Sequence, residues 1–221
     1  MKKIVVAVQK GGAGKTTLVS HLGVAIERAG DGPAALIDTD PQQTLATWWN
    51  LRQADAPKLA KVGIDNLPAQ LDALAAHGFK YCLIDTPPAL SKQNLAILKT
   101  ADLVIVPTQP SPTDLWTLGA TLELIRAAGV PFVFALTHAK ANARSTAETI
   151  AALSAHGRVL PSFISHSVKY PASMTDGRTV LEVYPKEPAA QVIIDLWGHV
   201  KQLMGDLAKP SELAKGKAAN A

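Results

Sequence analysis

Short apolar runs and stripes of helical period take turns along this chain. The runs are Ile4-Val5-Val6-Ala7-Val8, Ala34-Ala35-Leu36-Ile37, Tyr81-Cys82-Leu83-Ile84, Leu103-Val104-Ile105-Val106-Pro107 and Phe132-Val133-Phe134-Ala135-Leu136-Thr137. Continuous runs this short predict strands buried on both faces. Leu59 to Val62 and Val159 to Ile164 predict two weaker strands. Between them, apolar residues recur on one helical face: Leu18, Leu22, Ala25 and Ile26, then Leu67, Leu71 and Leu74, then Leu115, Leu118, Leu122 and Ile125. Trp48 and Trp49 fall on another helix as core or interface aromatics, and a further helix runs through Ile150 and Leu153. The last helix, about Ala189 to Leu207, buries Val192, Ile193, Leu196, Val200 and Leu203. Strands alternating with helices predict an α/β fold, a doubly wound and mainly parallel sheet flanked by helices. No repeat or linker divides it, so residues 1–207 read as one domain and residues 208–221, small and polar, as a disordered tail.

Composition narrows this only slightly. At 221 residues and 48% hydrophobic content the chain can bury a full core. A net charge of +4 and a pI near 9.2 permit an anionic partner without demanding one. The single cysteine, Cys82, excludes an internal disulfide and a cysteine-only metal or iron–sulfur site within one chain, and fits a reducing compartment. Neither a signal peptide nor a membrane-length apolar stretch is visible, so a cytoplasmic location is expected.

Chemistry concentrates where the first run ends. Lys10-Gly11-Gly12-Ala13-Gly14-Lys15-Thr16-Thr17 occupies a strand-to-helix turn, the setting a phosphate-binding loop requires. Its glycines let backbone N–H groups turn inward, and the following helix adds the positive end of its dipole. Lys15 supplies a charge for β- and γ-phosphates, and the Thr16 hydroxyl is placed to ligate Mg²⁺. A second lysine, Lys10, favours a triphosphate. The second run leads into Asp38-Thr39-Asp40-Pro41-Gln42-Gln43, at the strand end where open α/β sheets bind ligands. Two acids there suit Mg²⁺-bound or attacking water, and equally suit capping and turn formation. The run at Tyr81 ends in Asp85-Thr86-Pro87-Pro88, an acid able to hold a Mg²⁺ shell beside the loop.

Taken in order, these motifs resemble those of the ParA/MinD family of P-loop ATPases, whose "deviant" Walker A motif carries the early lysine. The resemblance implies a P-loop nucleotide hydrolase fold binding ATP and Mg²⁺ through Lys10, Gly11, Gly12, Ala13, Gly14, Lys15, Thr16 and Thr17. It implies metal contacts from Thr16, Asp38 and Asp85. It further implies that Lys10 reaches a partner subunit's nucleotide in an ATP-bound homodimer, that Asp40 positions the hydrolytic water, and that Lys10, Lys15 and Asp40 carry a weak intrinsic ATPase. Val168-Lys169-Tyr170-Pro171, Met174, Gly177 and Thr179 to Glu182 extend the likeness to small ParA-type partition ATPases, in which this region lies near the adenine and the dimer edge. Many relatives have proline where Ser165 stands.

In such relatives the ATP dimer binds nonspecific double-stranded DNA, and a ParB-like or cargo-adaptor partner stimulates hydrolysis. Lys169, Arg178, Lys186 and Lys201 are the DNA-binding candidates that this implies, with nucleoid association in the ATP state. A chain starting at its first strand implies no helix-turn-helix domain ahead of it. A MinD-like membrane-surface regulator is the alternative, disfavoured because the tail offers only Leu213 to a bilayer. A nitrogenase-reductase-like enzyme would need two bridging cysteines per subunit.

Overall fold

The structure is a computed structural model that describes residues 1–88 and 92–208. Seven strands form one sheet: β1 (Lys2–Val6), β2 (Ala34–Asp38), β3 (Lys58–Leu59), β4 (Tyr81–Asp85), β5 (Leu103–Thr108), β6 (Phe132–Leu136) and β7 (Arg158–Val159). They lie in the order β3-β2-β4-β1-β5-β6-β7, and every pairing is parallel. The helices are α1 (Lys15–Arg28), α2 (Thr44–Asn50), α3 (Leu67–Ala76), α4 (Lys92–Lys99), α5 (Pro112–Ala128), α6 (Arg144–Ser154), α7 (Lys169–Ser173), α8 (Val180–Val183) and α9 (Pro188–Leu207).

The alternation of side chains along each strand sorts the core into two halves. Ile4, Val6, Leu36, Leu83 and Ile105 face α1, α2, α8 and α9, joined by Leu22, Trp48, Val180 and Trp197. Val5, Ile37, Ile84, Val104 and Phe134 face α3 to α6, joined by Leu71, Ile97, Leu118 and Leu153. Helices on both faces are what turn the strand sequences into unbroken apolar runs. Cys82 points into the second half, wholly buried, and burial pushes its thiol up to about 12.

Three local departures have physical causes. Pro107 lies inside β5, where a missing N–H would break a ladder. Here Ile105 bonds toward β1 and Thr108 toward β6, so the gap falls on the β1 side, past the last paired residue Val6. The strand expected from Val159 to Ile164 stops after Val159, because the chain at Pro161 to Phe163 loops out of the ladder and Ile164, not Ser162, takes the next bond to β6. Its path still follows β6, with Leu160 N–H on Phe134 O at 2.8 Å and Ile164 N–H on Leu136 O at 2.9 Å. Val192, expected in the buried face of α9, is half-buried at its margin. The tail, residues 209–221, lies outside the described residues.

Candidate functional site

The carboxyl ends of β1, β2 and β4 open onto a cleft of about 390 Å³. Its floor is the loop Gly11 to Thr17, and its walls include Asp40, Thr44, Thr137, Ser165 and Tyr170. Gly12 (φ 73°) and Gly14 (φ 90°) take left-handed conformations that side chains disfavour, which is how the loop turns back on itself into α1. Thr137, from the end of β6, locks the loop by donating its hydroxyl to Ala13 O at 3.0 Å. Lys15 begins α1 and is 8% exposed, with Nζ on Lys10 O at 3.0 Å. Burial holds its pKa below the usual lysine value, opposed by Asp85 and Asp40.

Asp85 is fully buried, and its Oδ2 accepts the Thr16 hydroxyl at 2.6 Å. Its other oxygen, Oδ1, has no partner. Burial, reinforced by the neighbouring Asp38 and opposed by the Thr16 hydroxyl, pushes the carboxyl up to about 7. An orphaned carboxylate oxygen beside a hydroxyl fits a hard divalent cation such as Mg²⁺, whose charge would restore the ionised form. No cluster of three or more His, Cys, Asp or Glu side chains able to hold a metal occurs among the described residues, so such a cation would take further ligands from phosphate and water.

The strand ends are tied together, since Thr39 donates its N–H and hydroxyl to Asp85 O at 3.0 and 2.6 Å. Asp38 is occupied: Oδ1 accepts Asp40 N–H at 3.0 Å and Oδ2 accepts Ala46 N–H at 2.9 Å. Its carboxylate thus fixes the loop onto α2, and burial raises its pKa. Asp40 lines the cleft and accepts Gln42 N–H at 2.9 Å.

Several residues of the site carried no sequence signal. His138 lines the cleft at a left-handed φ of 54°, its ring 5.5 Å from that of His166. Asp114, in the first turn of α5, forms an ion pair with Lys10 and accepts Gln109 N–H at 3.1 Å. Gln109 in turn donates its amide to Gly12 O at 2.9 Å. His21, on α1, accepts Val180 N–H on Nε2 at 3.3 Å, while Nδ1 meets Thr17 O at 2.8 Å.

The four DNA-binding candidates fall in two places. Lys169, at the start of α7, pairs with Glu187, and Lys186 is exposed in the nearby turn before α9. Arg178 is exposed and pairs with Asp176, its Nη2 2.6 Å from Oδ2. The segment carrying it is gripped from α2 and the turn that follows it. Arg52 donates to Gly177 O at 2.6 Å and to both oxygens of Glu182, and Trp48 Nε1 donates to Arg178 O at 3.0 Å. Lys201 lies elsewhere, paired with Asp31 of the turn before β2, at the amino ends of the strands and so away from the cleft. No helix among the described residues is long and apolar enough to cross a membrane.

Comparison with known proteins agrees with this geometry. The model of the VirC1 protein family matches residues 1–151. Maintenance of carboxysome distribution protein A of Halothiobacillus neapolitanus is 32% identical over 128 residues, 57% of this chain and 58% of the relative. Chromosome partitioning protein ParA of Caulobacter vibrioides is 30% identical over 168 residues, 57% of this chain and 61% of the relative. The match thus spans little more than half the length of these curated relatives. Among solved structures, apo McdA of Cyanothece superposes with a TM-score of 0.74 at 21% identity, over 91% of this chain and 98% of that one. MinD of Aquifex aeolicus does so with a TM-score of 0.76 at 20% identity, over 93% and 98%. These structures share the fold.

Proposed function

The chain belongs to the VirC1 protein family, within the ParA/MinD ATPases, and from that membership we propose that it is an ATP-switched positioning ATPase. ATP would close two chains into a homodimer, the dimer would bind nonspecific double-stranded DNA, and a ParB-like or cargo-adaptor protein would stimulate hydrolysis and release the subunits. The cargo class is a plasmid, a chromosome region or a large protein complex.

The observation that carries this reading is the pair of lysines in one phosphate loop, with a buried acid on the Thr16 hydroxyl. Lys15 is buried at the helix start, where it neutralises the β- and γ-phosphates of its own nucleotide. Lys10, by the family's reading, would serve a nucleotide held by a second chain. Thr16 and Asp85 would hold Mg²⁺, which when bound spreads the charge developing on the transferred phosphoryl group. Asp40, at the cleft wall, orients water. The loops quoted contain no arginine, so intrinsic turnover is slow, on the order of 10⁻³ s⁻¹ or below.

DNA contact is assigned to Lys169, Arg178 and Lys186, which share one neighbourhood, with Lys201 as a separate candidate. Phosphate contact by such cations is insensitive to sequence and steeply dependent on salt. Retention on nonspecific DNA, measured with ATP, ADP and no nucleotide across a salt series, tests the reading. Binding with ATP alone that falls with salt, and weakens in Lys169→Glu and Arg178→Glu, is expected. No binding in any nucleotide state would refute it, and sedimentation with anionic liposomes in ATP would then be the next measurement.

A further inference from the structure

Both phosphate-seeking lysines of the loop are engaged inside the chain. Lys15 Nζ sits on the carbonyl of Lys10, and the Lys10 ammonium sits on the carboxylate of Asp114. Asp114 is the third residue of α5, a position from which an acid ordinarily reaches back to the start of its own helix. Here the carboxylate reaches past the helix start, taking Gln109 N–H on one oxygen and Lys10 on the other. Gln109 clasps the same loop through Gly12 O.

The pair is asymmetric. The Asp114 side chain is 3% exposed and that of Lys10 30%, so the lysine can leave while the acid stays. The acid is not stranded by that departure. It keeps the Gln109 N–H, and it lies at the positive end of the α5 dipole, which supports a carboxylate without a counter-ion. Lys10 is therefore bound but not required. The two lysines are also linked, because a phosphate that draws Lys15 off the Lys10 carbonyl loosens the segment that presents Lys10.

We propose that Asp114 is a positioning residue that holds Lys10 within its own chain until a triphosphate and a second chain compete it away, which sets the ATP level at which two chains pair. This rests on the reading of Lys10 given under the proposed function. A nucleotide bound in one chain alone loosens this segment without opening the latch, which opens when a partner's phosphates offer Lys10 a competing anion. The threshold for pairing is then set by the strength of one charge-assisted bond.

The test is the mass distribution of the full chain by light scattering or sedimentation, over a titration of a non-hydrolysable ATP analogue. D114N keeps an acceptor for Gln109 N–H and removes the charge. It should pair at an analogue concentration about tenfold lower than the unaltered chain, the size of one charge-assisted bond. D114S must reproduce the shift, and D114E must restore the original threshold. In a Lys10→Ala background, D114N should gain nothing, a readout that a merely structural role or a general gain in phosphate attraction would not give. An unchanged or raised threshold in both neutral variants overturns the latch, and so does an equal gain without Lys10. If Lys10→Ala pairs like the unaltered chain, the reading of Lys10 itself fails and the latch falls with it.

Discussion

His21 lies fully buried between α1 and the start of α8, and its ring can serve both neighbours only when neutral. Nδ1–H donates to Thr17 O, which leaves Nε2 as the acceptor for Val180 N–H. A proton on Nε2 would face that N–H directly. Burial lowers its pKa from 6.5 to about 4, opposed by Thr17 O and Glu182. The unfolded chain therefore binds the proton first as pH falls, and stability is lost between about pH 6.5 and pH 4. At about 1.4 kcal/mol per unit, the loss is about 3 kcal/mol. Asp85 works the other way over an overlapping range: its raised pKa, about 7, means the folded chain takes up the proton first. The unaltered chain alone thus gives a flattened profile, and the difference from a variant isolates His21. In His21→Gln the amide oxygen can still accept Val180 N–H but does not titrate. Urea unfolding followed by tryptophan fluorescence should find this variant less stable by about 1 kcal/mol at pH 7.5. At pH 4 it should be the more stable by about 2 kcal/mol, with the curves crossing near pH 6. Parallel curves across that range would refute the placement of a neutral imidazole at this joint.

Gly177→Ala should destabilise by about 3 kcal/mol in the same assay, because φ is 79° and a Cβ would stand 2.3 Å from the backbone nitrogen of Arg52; a native-like midpoint would contradict the close approach of the two loops. Lys15→Ala should weaken ATP binding roughly a hundredfold, read by calorimetry. Asp40→Ala should bind ATP but release phosphate about 100-fold more slowly, leaving a persistent dimer in light scattering; unchanged release would remove Asp40 from the water-positioning role.

What the sequence made legible was local. The strands β1, β2, β4, β5 and β6 announce themselves because each is buried on both faces. The phosphate loop does so because its turn, charge and helix start occupy eight consecutive residues, Lys10 to Thr17. The short helices α7 and α8 are too brief for a period to show, and their positions come from long-range bonds such as Arg28 to Leu181 O at 2.6 Å. Asp114 was invisible for the same reason, standing 104 residues from the lysine it holds. Asp38 looks in sequence like a metal-directed acid, while both of its oxygens are committed to backbone N–H groups. Lys201 joined the other cations only by proximity along the chain. The fold sets α9 against the turn at Asp31, and this takes that lysine to the amino ends of the strands, away from the cleft.

Cys82 has a practical consequence for every experiment named above. A wholly buried thiol with so high a pKa offers almost no thiolate to alkylating dyes or crosslinkers at neutral pH. The natural chain is therefore a silent background for thiol chemistry, with no cysteine to remove first. A single replacement on the surface, such as Trp116→Cys at a residue 78% exposed and two residues from Asp114, would give one addressable label. Pairing of chains could then be watched by energy transfer in real time, on a protein otherwise unaltered.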